Sequence, residues 1–224
     1  MLLSALEGHR LWAPTYDSCP NALLALEERS LPDILRDVAG LQILDVACGT
    51  GRWMTRLAAQ GARVTGIDLC REMLLRAASK PGLTGRLALA DAAVLPVASE
   101  SADLVLCCLA IGYVAELGRT FAEIARAARR GGRVVVAELH AARVAAGSTR
   151  SFEANGSSYS MHHFGRSTGE LLTAAQSTGL QLESRRDVCF GEPEEHFFRQ
   201  AGMMEVFRGQ AQVPAIWIAS WKKP

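Results

Sequence analysis

The sequence has no pattern of cysteines that would support a disulfide framework or a zinc site. Its six cysteines include no C-x-x-C pair and follow no regular spacing, whereas structural zinc sites and small disulfide-rich domains show such spacing. They are expected to be reduced thiols that pack as small hydrophobic side chains. In a strand, the adjacent Cys107 and Cys108 would point to opposite faces, which argues against a paired-thiol site.

Long apolar runs and a strong net charge are also missing. The longest apolar run, residues 102–114, is interrupted by Asp103 and is too short to cross a bilayer. The N-terminus has no basic region followed by an apolar one, so a signal peptide is not expected and a cytoplasmic location is the default. The net charge is +1, which would attract neither nucleic acid nor an anionic membrane. The dense basic run at 126–133 suits a helix carboxyl end better than RNA binding.

What is present is the composition of one soluble domain. The chain has 224 residues, of which 49% are hydrophobic and 21% charged, enough for a substantial core. Strands alternate with helices in units of about 25 residues, which predicts a parallel sheet covered on both faces. Strands are predicted at 42–47, 63–67, 86–90, 103–109 and 133–139, and helices at 52–60, 72–79 and 117–129.

The two ends of the chain are expected to differ from this regular pattern. Residues 1–20 are predicted to be irregular, and 21–38 to be helical with a break at Pro32. Residues 141–160 show no period and are predicted to be a loop or insertion. After a helix at 168–178, strands at 180–190 and 213–221, joined by a looser segment, are expected to add an antiparallel pair to the sheet edge.

The chain is organised around the stretch 41–51, in which a buried strand runs into a glycine turn and then a helix. Gly49 and Gly51 can adopt positive φ and let a ligand approach the backbone, and the following helix directs its free N–H groups at that ligand. Asp45 lies just before the turn. The combination suits a nucleotide-like ligand that carries hydroxyls or positive charge.

Acidic residues at the ends of the next two strands sharpen this prediction. Asp68 lies about 20 residues beyond the turn, the distance at which a carboxylate reaches ribose hydroxyls, and Asp91 ends the third strand, where it could accept from an adenine amine. A single such residue can simply cap a helix or turn, but three at successive strand ends make that reading much weaker. A P-loop is excluded because no Lys follows Gly51, and the turn lacks the G-x-G-x-x-G spacing of dinucleotide sites.

These motifs resemble those of the class I S-adenosylmethionine-dependent methyltransferases, in particular their small-molecule, type 11-like members. The resemblance rests on Leu44-Asp45-Val-Ala-Cys-Gly-Thr-Gly51, Gly66-Ile-Asp68, Ala90-Asp91-Ala92 and Arg129-Arg-Gly-Gly132. It implies an α/β, doubly wound, Rossmann-like fold with a seven-stranded, mostly parallel sheet and an antiparallel C-terminal strand. It also implies a single methyltransferase domain over 1–224, with an N-terminal helical cap at about 1–40 and a substrate-side insertion at about 140–165. One departure is Ala47, where the family often has glycine.

The resemblance also implies a role for each matching position. Asp45 and the turn Ala47, Cys48, Gly49 and Gly51 would hold the methionine part of S-adenosylmethionine. Asp68 would hold the ribose, and Asp91 with Ala92 the adenine. The remaining cofactor contacts would come from Leu69 and Met73 beside the adenine, Cys108 and Leu109 beside the methionine, and Tyr16 over the methionine end. Tyr16 could equally be an aromatic anchor for the first helix.

Candidates for the acceptor side lie after the fifth strand. His140 and His163 are expected to be catalytic because a histidine can act as a base near neutral pH, although capping and backbone hydrogen bonds are the alternative. Tyr113, His162 and Phe164 are expected to contact a moderately hydrophobic acceptor. No ligand spacing supports a metal site.

The function expected from the sequence is transfer of a methyl group from S-adenosylmethionine to O or N of a small, partly apolar acceptor, leaving S-adenosylhomocysteine. The transferred methyl is already activated, so an acceptor held in line needs little further catalysis. A non-catalytic cofactor-binding regulator or subunit on the same fold remains the alternative, and nicotinamide-dependent redox chemistry is a weaker one. A small-molecule partner and a monomer or homodimer are expected.

Overall fold

A computed structural model describes all 224 residues of the chain. Its strands are, in chain order, β1 (Leu2–Leu3), β2 (Gln42–Val46), β3 (Arg63–Asp68), β4 (Leu87–Leu89), β5 (Ala102–Cys108), β6 (Ala128–Leu139), β7 (Arg150–Ala154), β8 (Ser157–Met161), β9 (Gln181–Val188) and β10 (Ile216–Lys222). Its α-helices are α1 (Ala5–Trp12), α2 (Ala22–Ser30), α3 (Arg52–Ala59), α4 (Arg71–Ala78), α5 (Leu117–Ala127), α6 (Ala141–Ala145), α7 (Thr168–Gln176), α8 (Glu192–Gln200) and α9 (Met204–Gly209).

Seven strands form one sheet in the order β4-β3-β2-β5-β6-β10-β9. The first five are parallel to one another, and β10 pairs antiparallel with both β6 and β9. The strand order reverses between β2 and β5, and this is where ligands bind in open α/β sheets. The predicted seven-stranded, mostly parallel sheet with an antiparallel C-terminal strand is confirmed.

The two faces of this sheet bury two separate cores. Ile43 and Leu104 belong to a cluster of 23 buried residues on one face, and Leu44 and Val105 to a cluster of 22 on the other. Neighbouring strand residues point to opposite faces, so strands with buried apolar residues at neighbouring positions, such as β2 and β5, fit only between two layers of helices. No helix in the structure has the length and apolarity that a membrane crossing requires.

Three predictions about irregular segments are wrong. Residues 1–20 contain α1, which begins at a capping box in which the Ser4 hydroxyl accepts from the Glu7 N–H and the Glu7 carboxylate accepts from the Ser4 N–H. Residues 141–160, predicted to be a loop or insertion without a clear period, are not a loop: they contain α6 and the hairpin β7–β8, which turns at Asn155-Gly156 with both φ angles positive. Such a turn matches the twist of paired strands. The looser segment between β9 and β10 contains α8 and α9.

The hairpin forms a second, small sheet together with the N-terminus. Its order is β1-β8-β7, and it packs with α1 through Trp12, Phe152 and Met161. A Cβ atom on Gly8 would lie 2.3 Å from the Met161 side chain, so glycine lets α1 approach the hairpin closely. This sheet therefore holds α1 beside the carboxyl edge of the central sheet. The helix predicted over 21–38 ends at Ser30, two residues before Pro32.

Candidate active site

A cavity of about 320 Å³ opens at the carboxyl ends of β2, β3, β4 and β5 and is closed from above by α1. Most of the residues predicted from the sequence to hold the cofactor line it, together with one predicted acceptor contact: Tyr16, Ala47, Gly49, Asp68, Leu69, Met73, Asp91, Ala92, Cys108, Leu109 and Tyr113. Asp45, Cys48 and Gly51 lie in or beside the glycine turn but do not line the cavity.

The glycine turn is held tightly against the neighbouring strand. Gly51 has φ +74°, and a Cβ atom there would lie 2.8 Å from Leu83. A Cβ atom on Gly66 would lie 2.7 Å from the Cys48 sulfur and 2.3 Å from that of Met54. Glycine at these positions therefore allows the turn, α3 and β3 to pack in contact.

Two residues without this freedom also adopt positive φ at the cavity. Ala47 has φ +57° and Leu109 has φ +53°, a region that costs a residue with a Cβ atom about 1 kcal/mol or more. Both line the cavity. At the position of Ala47, the methyltransferase family that the sequence resembles often has glycine. The positive φ angle of Ala47 explains why glycine suits this position.

Asp68 joins the turn to the cavity. Its carboxylate accepts hydrogen bonds of 2.7 Å from the N–H groups of Gly49 and Cys70. Burial raises the pKa of Asp68, and the backbone N–H groups of Cys70, Gly49 and Leu69 oppose that rise. A carboxylate has about four lone-pair positions, so Asp68 can still accept from a hydroxyl in the cavity, such as one of a ribose.

The end of the cavity beside β3 and β4 combines one carboxylate with apolar walls. Asp91 accepts from the Ala93 N–H at 2.8 Å through one oxygen, and its other oxygen has no partner within the protein. Leu69 is 52% exposed although it is a large apolar residue, and it faces the same cavity as Met73. A flat apolar ring with an exocyclic amine fits these surroundings.

A buried acidic cluster lies behind the turn. Asp45 is 2% exposed, and its carboxylate makes no hydrogen bond within the protein. Burial, and then the nearby Glu27 and Asp68, raise its pKa well above the ordinary value. Glu27 is fully buried and accepts from Arg52, but its Oε1 atom has no partner. Such a cluster favours a positively charged group nearby, such as a ligand ammonium.

Asp45→Asn should stabilise the protein without ligand. Because the folded chain holds the Asp45 proton more tightly than the unfolded chain does, this residue lowers stability as pH rises from about 4 towards neutrality. We expect the variant to raise the Tm at pH 7 by at least about 2 °C, which corresponds to about 1 kcal/mol, and to leave it nearly unchanged at pH 4. Thermal unfolding at the two pH values measures this difference. An equal gain for the exposed Asp33→Asn would contradict it.

The other end of the cavity is formed by aromatic side chains from α1, from the turn that follows α1 and from the turn after β5. His9, Tyr16 and Tyr113 line it, and the His9 and Tyr113 rings pack edge to face with centroids 5.0 Å apart. The His9 Nδ1 atom lies 2.7 Å from the Ala5 carbonyl oxygen. Nδ1 therefore carries the ring proton, and the Nε2 lone pair, which has no protein partner, is free to accept from a ligand.

His9 is neutral at physiological pH because burial lowers its pKa to about 4, against the smaller opposing effect of the Ala5 carbonyl. The unfolded chain binds a proton on His9 more tightly than the folded chain does. The free energy of unfolding is therefore not reduced by this residue above pH 6.5, and it falls as the pH drops towards 4. When the pH falls from 6.5 to 5, the free energy of unfolding should decrease more for the native protein than for His9→Gln. We expect the difference between the two decreases to reach up to about 2 kcal/mol. Urea unfolding at both pH values tests this. If His9→Gln showed the same pH dependence as the native protein, or as the exposed His196→Gln, the prediction would fail.

Tyr113 is held in place from behind. Its hydroxyl accepts from Arg150 Nε at 2.8 Å, which leaves its own proton available to the cavity. The preceding Gly112 donates to Glu138 Oε2 at 2.8 Å, while Glu138 Oε1 lies 3.3 Å from His163 Nε2. Burial raises the pKa of Glu138, but His163, the Gly112 N–H and Arg150 together outweigh burial, so the pKa is lowered. The Glu138–His163 pair therefore fixes the turn that presents Tyr113.

Four residues predicted for the acceptor side do not line the cavity. His140 caps α6, accepting from the Ala142 N–H at 3.1 Å, and its Nε2 lies 3.6 Å from Asp187. His163 packs under Gly112, where a Cβ atom would lie 1.9 Å from its ring. The His162 and Phe164 rings pack on each other with centroids 4.8 Å apart. Catalysis by His140 or His163, and acceptor contacts by the other two, stay predictions that these contacts do not support.

Sequence reasoning missed His9, Glu27 and Arg150. The capping box at Ser4 and Glu7 is a readable signal for the start of α1, the helix that carries His9. Glu27 and Arg150 carry no local signal, because their partners are 25 and 37 residues away in the chain. No group of three or more His, Cys, Asp or Glu side chains is placed to hold a metal ion.

Comparison with known proteins agrees with this geometry. Residues 44–136 match the family model described as "Methyltransferase domain". The biotin biosynthesis bifunctional protein BioHC of Cellvibrio japonicus is 28% identical over 207 residues, which are 89% of this chain and 41% of that protein. A demethylmenaquinone methyltransferase of Tropheryma whipplei is 33% identical over 135 residues, which are 57% of this chain and 55% of that protein. The chain thus spans about half the length of these curated relatives.

Solved structures share the fold. A crystal structure of an S-adenosylmethionine-dependent methyltransferase from Mesorhizobium loti superposes with a TM-score of 0.70 and 24% identity, covering 91% of this chain and 100% of that one. The strand order and the cavity at the carboxyl edge agree with that fold. Residues 44–136 therefore match a methyltransferase domain, and the chain as a whole has the fold of S-adenosylmethionine-dependent methyltransferases.

Proposed function

We propose that this protein transfers a methyl group from S-adenosylmethionine to an oxygen or nitrogen of a small, partly apolar acceptor. The observation that carries the proposal is a single cavity with two different ends. One end holds Asp68 and Asp91, and the other holds His9, Tyr16 and Tyr113. The first end suits an adenosine, and the second suits a compact acceptor with one hydrogen-bonding group.

In this proposal the cofactor is held by residues of the cavity and of the turn beneath it. Asp68 accepts from a ribose hydroxyl, Asp91 and the Ala92 backbone contact the adenine, and Leu69 and Met73 cover its faces. The turn 47–51, with Asp45 behind it, holds the methionine part, and Cys108 and Leu109 border it on the β5 side. When bound, the cofactor supplies a methyl group already activated by its sulfonium.

The chain's own residues would then orient the acceptor and exclude water. The O–H or N–H group of the methyl acceptor donates a hydrogen bond to Nε2 of the neutral His9 imidazole. This orients the acceptor so that a lone pair on its oxygen or nitrogen points into the cavity. Tyr113 donates its hydroxyl proton to a second polar atom, and Tyr16 closes over the methionine end. A base with a pKa of about 4 is too weak to remove a proton beforehand. The proton of a hydroxyl acceptor would therefore pass to His9 Nε2 as the new bond to carbon forms, whereas a neutral amine acceptor would keep its proton and leave as the methylated ammonium.

The test is turnover with defined acceptors. Purified protein is incubated with S-adenosylmethionine and panels of phenols, carboxylic acids and amines, and mass spectrometry follows S-adenosylhomocysteine and products heavier by one methylene. We expect one panel to give product, and His9→Ala and Tyr113→Phe to lower kcat/KM by at least about tenfold, since each loses a hydrogen bond to the acceptor. Tight cofactor binding with no turnover on any panel would favour the non-catalytic cofactor-binding alternative.

A further inference from the structure

A second cavity, of about 310 Å³, lies between α6, α8 and the segment that leads into β7. It shares no lining residue with the first cavity. Trp12 lines the second cavity and packs edge to face on Tyr16, which lines the first, with ring centroids 4.6 Å apart. It therefore differs in position and in composition from the proposed methyl-transfer site.

Arg143 is one of two buried cations that line this second cavity. It is only 3% exposed, and it donates to Gln210 and to the carbonyl oxygen of Val213 at 3.0 Å. Its guanidinium carbon lies 4.9 Å from the centre of the Phe190 ring. Its Nε atom has no hydrogen-bond partner, and no carboxylate lies within ion-pair distance.

Arg150 is the second buried cation. It is 6% exposed, and its Nε donates to Tyr113, but its other N–H groups have no partner in the protein. Glu138, whose charge acts on Arg150, makes no hydrogen bond to it, already accepts from the N–H groups of Gly112 and Leu139, and lies against His163. Arg150 is therefore a buried guanidinium without a neutralising ion pair.

The remaining walls define what could neutralise these cations. No aspartate or glutamate lines the cavity, whereas Trp12, Phe190, Phe197, Phe198 and Met203 do. Burying a cation away from water is unfavourable unless it is paired, and guanidinium groups bind carboxylates through paired, charge-assisted hydrogen bonds. The cavity thus offers two donors for an anion and an aromatic wall for an apolar body.

We propose that this second cavity is a binding site for a small carboxylate that carries an aromatic or aliphatic body. The carboxylate lies between Arg143 and Arg150, and the apolar body packs against the phenylalanines of α8. Arg150 also holds the Tyr113 hydroxyl, so the ligand contacts the residue that positions the acceptor end of the first cavity. The site does not depend on the identity of the cofactor.

The test uses 2-naphthoate and its neutral analogue 2-naphthamide, titrated by calorimetry into the protein with and without S-adenosylhomocysteine. We expect 2-naphthoate to bind with one-to-one stoichiometry and at least tenfold more tightly than the amide. Arg143→Met and Arg150→Met should each weaken naphthoate binding at least tenfold, while Arg199→Met, an exposed arginine on α8, should leave it within twofold. Equal binding of the two probes, or unchanged affinity in both variants, would overturn the proposal.

Two further measurements locate the bound probe in the first or the second cavity. S-adenosylhomocysteine should not compete with 2-naphthoate, and direct competition would place the probe in the first cavity and overturn the proposal. If either methionine variant fails to unfold cooperatively, amide shift mapping on the native protein replaces it. Naphthoate should then shift the amides of 148–151 and 197–198, and shifts confined to the first cavity would contradict the second site.

Discussion

Arg52→Ala is expected to lower the free energy of unfolding by about 3–5 kcal/mol, the range measured when one partner of a buried ion pair is removed. Arg52 donates at 2.5 Å to both Glu27 and Glu28. The Glu27 side chain is fully buried, and the Arg52 side chain is only 16% exposed. Without the guanidinium, Glu27 would be an unpaired charge beside Asp45. Urea unfolding followed by circular dichroism measures the change.

Arg56→Ala is the matched control for this prediction. Arg56 lies one turn further along α3 and pairs with the same Glu28 at 2.6 Å, but its side chain is 47% exposed. An exposed pair contributes about 0–1 kcal/mol, so this variant should lose no more than that. Adding Glu27→Gln to Arg52→Ala should restore part of the lost stability. Equal losses for the two arginine variants would show that burial of Glu27 is not the cause.

Asp68→Ala is expected to weaken S-adenosylhomocysteine binding by at least about 1.5 kcal/mol, or roughly tenfold. The variant loses the carboxylate proposed to accept from the ribose, and it also leaves the N–H groups of Gly49 and Cys70 without their acceptor. The turn should therefore loosen as the cofactor contact is lost. Calorimetric titration of the native and variant proteins measures both affinity and enthalpy.

Two companion variants separate these contributions. Asp68→Asn keeps one oxygen for the turn but loses the charge, so it should fall between the native protein and Asp68→Ala. Asp33→Ala removes an exposed carboxylate and should change nothing. If Asp68→Ala bound S-adenosylhomocysteine as tightly as the native protein, Asp68 would not be the ribose ligand.

The central sheet could be predicted because its signals are local. Apolar strands such as β2 and β5, glycine turns such as 47–51, and helices of regular period each occupy a few consecutive residues. The segments predicted wrongly at the N-terminus and at 141–160 are short and stabilise one another, since β1 pairs with β8 and α1 packs on Phe152. The pattern within a single segment does not reveal such distant pairings. Two local motifs do predict parts of these segments: Ser4-x-x-Glu7 is a helix capping box, and Asn155-Gly156 is a hairpin turn.

The candidate site divides in the same way. Asp68 and Asp91 follow strands, and all parallel strands bring their carboxyl ends to one edge, so their convergence could be predicted. His140 also follows a strand, but its ring turns towards Ala142 and Asp187 instead of the cavity. His9 reaches the cavity only because the hairpin holds α1 over it. Pairings such as Arg150 with Tyr113 depend on how the hairpin docks, which no local pattern encodes.

The most direct test of the central claim is calorimetric titration of the native protein with S-adenosylhomocysteine and, separately, with NADH. We expect one-to-one binding of S-adenosylhomocysteine and no measurable heat of binding for NADH, because the turn lacks dinucleotide spacing and the acidic Asp45 and Glu27 behind it disfavour a pyrophosphate. Binding of NADH with no binding of S-adenosylhomocysteine would contradict that claim.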